Sequence, residues 1–160
     1  MEIEVPVMTF LQDETETVAW GSALSAVLVP GVVVFLEGEL GAGKTTLTRG
    51  VLRALGHEGA VKSPTYTLCE PYLLESGQQL CHFDLYRLSD PEELEYLGFR
   101  DYLAGDAILF IEWPSRGEGW LPTADLTVSL SEVRGGREVV VTSGTEKGAL
   151  ILNRFEVSST

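Results

Sequence analysis

Residues 32–46 read V-V-V-F-L-E-G-E-L-G-A-G-K-T-T, and no other stretch restricts the fold as much. An apolar, β-branched run leads into G-x-x-x-x-G-K-T from Gly38 to Thr45, and a helix-forming segment comes next. That order is strand, phosphate loop and helix, the arrangement that holds a nucleotide's phosphates. The dense charge of a β-phosphate has to be met by several backbone N–H groups at once. Gly38, Gly41, Ala42 and Gly43 carry little or no side chain, so the backbone can wrap that closely. The next helix turns the partial positive charge of its N-terminus toward the phosphates. Lys44 supplies a point charge for the β- and γ-oxygens, and the Thr45 hydroxyl is placed to ligate Mg²⁺. The segment reads as a nucleotide site.

Size and charge narrow the remaining choices. With 160 residues, 44% of them apolar, the chain has room for one core and is expected to form one P-loop domain over 1–160. No apolar run approaches the roughly 20 residues that span a bilayer. The start M-E-I-E-V-P lacks the basic region of a signal peptide. Cys69 and Cys81 show neither C-x-x-C nor zinc spacing, which suits reduced thiols in a cytoplasmic protein. The net charge is −13, from 24 acidic and 11 basic residues. Such a chain does not bind nucleic acid over a broad face by counterion release, so any such role is expected to run through a protein partner.

Along the chain, Asp13 followed by Glu16 marks a helix start, and a helical spacing of apolar and small residues runs to Pro30-Gly31. A strand is expected over 32–36 and a helix over 44–55, ending at Gly56. Further strands fall over 68–74, 79–86 and 107–111. D-P-E-E at 90–93 opens a helix that runs to about Leu97, and a short helix succeeds it near 101–104. Strands over 126–133 and 138–142 are joined by R-G-G-R at 134–137, a hairpin signal. No element is assigned before Asp13, and the tail from Thr145 fits a strand and a helix equally. The expected fold is α/β, a largely parallel sheet flanked by helices with an antiparallel hairpin extension.

A phosphate loop needs an acid at the end of a neighbouring strand to hold Mg²⁺. Glu112 comes directly after the apolar run I-L-F-I, and Asp84 lies in H-F-D-L-Y-R at the end of a weaker strand. Spacing alone leaves open which ligates metal and which orients water. S-P-T-Y-T at 63–67 occupies the interval where switch proteins sense the γ-phosphate, making Thr65 a candidate ligand or sensor; a self-bonded Ser-Pro turn accounts for it equally well. Trp113 suits core packing, and His57 and His82 lack a partner at metal-ligand spacing. Arg87, Arg116 and Arg137 are candidates to stabilise a transferring phosphate.

G-E-L-G-A-G-K-T-T at 38–46, V-K-S-P-T-Y-T at 61–67, H-F-D-L-Y-R-L at 82–88, D-P-E-E-L-E at 90–95 and I-E-W-P at 111–114 occur in one order. Together they resemble the TsaE (YjeE) family from about residue 11 to 138. The resemblance implies a small bacterial cytoplasmic ATPase that serves formation of the threonylcarbamoyl group on adenosine 37 of tRNAs reading codons that start with A. It implies work beside a TsaD–TsaB pair, with tRNA engaged only indirectly. By the family pattern, Lys44 and the backbone of residues 41–46, Thr46 included, hold ATP, while Thr45 and Glu112 ligate Mg²⁺. Asp84 is required for hydrolysis, and Thr65 belongs to a switch-like loop. Trp113 lies near the nucleotide, Glu14 borders adenine, and the hairpin near Gly136 and Arg137 approaches the nucleotide. Three other readings compete. A small-molecule P-loop kinase would need an arginine-rich lid, and the arginines here are scattered. A non-catalytic nucleotide-gated module differs only in turnover, and a GTPase switch lacks any N-K-x-D motif.

Overall fold

Runs of valine, isoleucine and phenylalanine without polar alternation belong to strands covered on both faces. The computed structural model of the chain describes residues 7–39, 41–64 and 67–158, and such runs lie at the centre of its seven-stranded sheet. The strands are β1 (Val7–Leu11), β2 (Val33–Glu37), β3 (Cys69–Leu73), β4 (Gln79–Asp84), β5 (Ile108–Glu112), β6 (Leu126–Val133) and β7 (Gly136–Ser143). Their order is β1-β7-β6-β2-β5-β4-β3. The four middle strands, β6, β2, β5 and β4, run parallel, with β7 and β1 antiparallel at one edge and β3 at the other. The expected parallel sheet with an antiparallel hairpin is present, and antiparallel strands close both edges.

Three helices, α1 (Glu14–Ser25), α2 (Lys44–Ala54) and α5 (Glu146–Ser158), cover one sheet face. Leu24, Leu47, Val51 and Ile151 pack there on Val34, Leu36, Phe110 and Val128. The shorter α3 (Glu93–Tyr96) and α4 (Phe99–Ala104) cover the other face, with Leu94 and Phe99 on Phe83, Leu109 and Ile111. Cys69 and Cys81 are free thiols on this side. Burial pushes Cys69 up to about 12, aided by the nearby Cys81 and Glu70, and burial raises Cys81 to about 11. Neither is a thiolate nucleophile at neutral pH.

Two local features fix the geometry around α2. Helices α1 and α2 meet backbone to backbone, because a Cβ on Gly50 would collide with the Val18 carbonyl oxygen. Gly21 abuts the Leu47 carbonyl in the same way. The hairpin is also tighter than R-G-G-R suggests. Only Arg134 and Gly135 form its turn, both at positive φ (53° and 79°), the geometry that matches strand twist in two-residue hairpins. Gly136 and Arg137 therefore join the β7 ladder opposite Val133 and Glu132. Among the described residues, no helix is long and apolar enough to cross a membrane.

Candidate nucleotide site

The N-terminus of α2 opens at the C-terminal end of β2, where an open parallel sheet leaves its ligand crevice. Gly43 is the N-cap at φ 107°, a left-handed conformation that a side chain would strain. No side chain caps this helix, and no acid lies in its first turn. The first intrahelical bond runs from the Leu47 N–H to the Gly43 carbonyl at 2.9 Å. The N–H groups of Lys44, Thr45 and Thr46 precede it, the donors that a helix cannot satisfy itself. Gly38 and Gly41 also adopt positive φ, and Ala42 donates its N–H to the Glu39 carbonyl at 3.1 Å, closing the loop on itself.

Lys44 is buried to 5% exposure, with Nζ donating to the Gly38 carbonyl at 2.6 Å. It also lies 3.4 Å from Glu112 Oε1 and 4.7 Å from the centre of the Trp113 ring. The other Glu112 oxygen, Oε2, meets His82 Nε2 at 2.5 Å. Burial alone would raise the Glu112 carboxyl. The hydrogen bond and charge of His82, together with Lys44, outweigh burial and hold it below its ordinary value. Asp84, almost fully buried, stands beside Glu112 in the parallel register of β4 and β5. Its Oδ1 accepts the Tyr86 N–H at 3.0 Å, and its own N–H donates to the Leu68 carbonyl at 3.0 Å. Leu68, at φ 67°, is where the 63–67 loop enters β3. Thr65 itself lies outside the described residues.

Two cavities flank the loop. The larger, about 620 Å³, is bordered by Gly38, Gly41, Ala42, Lys44 and Trp113, with Leu130 as part of its apolar wall. The smaller, about 310 Å³, is bordered by Glu14, Gly41, Gly43, Thr46, Gly136 and Arg137. The residues expected at a nucleotide thus converge on one loop, Glu14 and Gly136 on one side of it and Trp113 on the other. Trp113 is itself strained, at φ 55° directly before Pro114, with its ring 4.9 Å from Tyr86.

Oxygen donors suit a hard cation, and Mg²⁺ takes only one or two protein ligands beside phosphate and water. Thr45 and Glu112 fit that requirement, and among the described residues no cluster of three or more His, Cys, Asp or Glu competes for it. One participant escapes sequence reasoning. Ligand spacing tests His82 only for metal binding, yet it stands two residues before Asp84 and so shares its sheet face. Arg137, a sequence candidate for stabilising phosphate, meets the carbonyls of Ala42 and Gly41, and the tight hairpin is what places it against the loop.

Comparisons with known proteins bear on family and fold. The family model described as "Threonylcarbamoyl adenosine biosynthesis protein TsaE" matches residues 11–139. A tRNA threonylcarbamoyladenosine biosynthesis protein TsaE of Haemophilus influenzae is 44% identical over 151 residues, covering 91% of this chain and 95% of that one. Its Bacillus subtilis namesake is 36% identical, covering 89% and 84%. The crystal structure of Bacillus subtilis YdiB superposes with a TM-score of 0.84 at 26% identity, covering 100% of both chains. With a phosphate loop, paired carboxylates and a matching family model over most of its length, this chain belongs to the TsaE family.

Proposed function

We propose that this protein is a Mg²⁺-dependent ATPase, slow alone and completed by a partner, that serves tRNA threonylcarbamoyladenosine formation by acting on a TsaD–TsaB pair. One observation carries the nucleotide part: an uncapped, glycine-led helix N-terminus stands beside a buried lysine and two strand-end carboxylates. Gly38 and the backbone from Gly41 to Thr46 hold the phosphates, with Lys44 turning from Glu112 toward the β- and γ-oxygens. Thr45 and Glu112 hold Mg²⁺, which neutralises phosphate charge when bound. Asp84 orients the attacking water and accepts its proton. Glu14 and Gly136 border adenine in the smaller cavity, and Trp113 stands at the γ-phosphate side. Thr65 belongs to the loop that responds to nucleotide.

The pathway and partner rest on the family. A net charge of −13 suits a protein that reaches tRNA only through others in the cytoplasm. Residues 1–160 act in this reading as one P-loop domain. Phosphate release is measured for the protein alone, then with the TsaD–TsaB pair, with Lys44→Ala as the blank. Turnover that rises with the pair and vanishes in the variant supports the proposal. Equal turnover with and without the pair overturns the partner-completed cycle. The apolar-walled cavity beside Lys44 would then favour a kinase, tested by transfer of labelled phosphate to small acceptors.

A further inference from the structure

The guanidinium of Arg137 makes three hydrogen bonds to main-chain carbonyls on two separate elements. Nε donates to the Ala42 carbonyl at 2.9 Å and Nη2 to the Gly41 carbonyl at 3.1 Å, both in the phosphate loop 95 and 96 residues away. Nη1 donates to the Gly136 carbonyl at 3.0 Å and lies 3.5 Å from Glu132 Oε1 across the hairpin. The stem is fixed as well, since Arg137 pairs with Leu11 of β1 on one side and Glu132 of β6 on the other. A planar fork locked in a three-strand ladder is well suited to hold two consecutive peptide groups.

We infer that Arg137 is a positioning residue that sets the phosphate loop in its anion-binding conformation before nucleotide arrives, acting through loop carbonyls rather than through phosphate. The physical argument is the trans peptide, in which C=O and N–H point in opposite directions. Pinning the Ala42 carbonyl toward the hairpin turns the Gly43 N–H the other way, away from Arg137. Pinning the Gly41 carbonyl fixes the next peptide group, whose Ala42 N–H already closes on Glu39. A glycine-rich loop left alone samples many conformations, and each has to be frozen when phosphate binds. The guanidinium removes that freedom in advance and brings a positive charge close to the loop. The Arg134-Gly135 turn determines this placement, because a longer turn would carry Arg137 out of the ladder.

The inference rests on the reading that this loop holds nucleotide phosphates, and the test separates the two. Binding of ADP and of ATP with Mg²⁺ is measured by calorimetry for wild type, Arg137→Ala and Arg137→Lys, with thermal midpoints of the free chains in parallel. Arg137→Ala is expected to weaken ADP and ATP by the same factor, about tenfold, or roughly 1.4 kcal/mol. Arg137→Lys keeps the charge but not the fork, and is expected to recover less than half of that loss. Millimolar methylguanidinium is expected to restore affinity to the alanine variant and not to the lysine variant. Loss of ATP affinity with ADP unchanged would overturn the inference, because the guanidinium would then act on the γ-phosphate. Unchanged affinity for both would also overturn it. Should the alanine variant fail to fold, the lysine variant decides: full wild-type affinity there sinks the requirement for a fork. Wild-type protein that binds neither nucleotide would sink the nucleotide reading itself.

Discussion

Two helices meet at this cleft, and they begin in opposite ways. α1 completes its own first turn: the Asp13 side chain accepts the Glu16 N–H at 2.9 Å, and Glu14 and Glu16 complement the helix dipole. α2 starts on a left-handed glycine with no side-chain cap and no acid, and its first side chain is a lysine. That lysine opposes the dipole and finds its counter-charge on another strand, at Glu112. A missing cap typically costs a helix about 1 kcal/mol. One N-terminus is built for stability and the other keeps its donors for an anion from outside. The contrast separates a self-capped helix start from one left open more sharply than burial does, since both helices lie on the same sheet face.

The most severe way to break the contrast is to give α2 an acid where it has none. Gly43→Asp strains a backbone at φ 107° and also sets a carboxylate among the phosphate donors, so Gly43→Asn serves as the uncharged control for the strain. ADP binding, followed by calorimetry, is expected to weaken by about a hundredfold or more, the scale of a like-charge contact. Wild-type affinity in that variant would refute the role of the open N-terminus. Next in size, Asp84→Asn is expected to retain ATP while hydrolysis with the partner pair falls about 10²-fold, the reach of a lost general base. Phosphate release at saturating ATP checks it, and undiminished turnover would assign Asp84 to structure.

Gly50→Ala attacks the backbone contact that packs the two helices together. It is expected to destabilise the fold by roughly 1–3 kcal/mol, read as a drop in thermal midpoint of about 3–10 °C. A midpoint within a degree of wild type would mean that the helices separate freely.

The charge balance behind Lys44 is tested by pH. Glu112 is held below its ordinary value of 4.5, so its contribution to stability is complete above that pH. It is lost as pH falls through the depressed folded value. In urea titrations without divalent cations, His82→Gln is expected to lose less stability than wild type below pH 4.5. Parallel profiles would show that His82 does not hold the carboxylate down.

The smallest effect is expected at the capped helix. Asp13→Ala removes about 1 kcal/mol, a midpoint change of roughly 2–4 °C.

Much of the fold and site is legible in the chain. The loop, its strand and its helix are local features, specified by glycines, a β-branched run and a helix-forming segment close together in the sequence. Asp84 and Glu112 can be named because each acid comes near the end of an apolar run, although the sequence puts those strand ends at 86 and 111 and the structure puts them at the acids themselves. β1 is not legible: it is an edge strand whose partner lies far along the chain, where Leu11 pairs with Arg137. α5 is ambiguous because the consecutive apolar residues Ala149 to Leu152 suit a strand as well as a helix. Packing resolves it by burying Ile151, Leu152 and Phe155 on one side, with the Phe155 ring 5.2 Å from Trp20.

By itself the sequence determined the phosphate loop, the strand-end acids and the family, because each depends on residue type and short spacing. Only the tertiary structure decided that His82 grips Glu112, that Glu14 and Gly136 share a cavity, and that Arg137 holds the loop. Those relations join residues 30 to 122 positions apart, and register, a two-residue turn and glycine-tight helix packing set them.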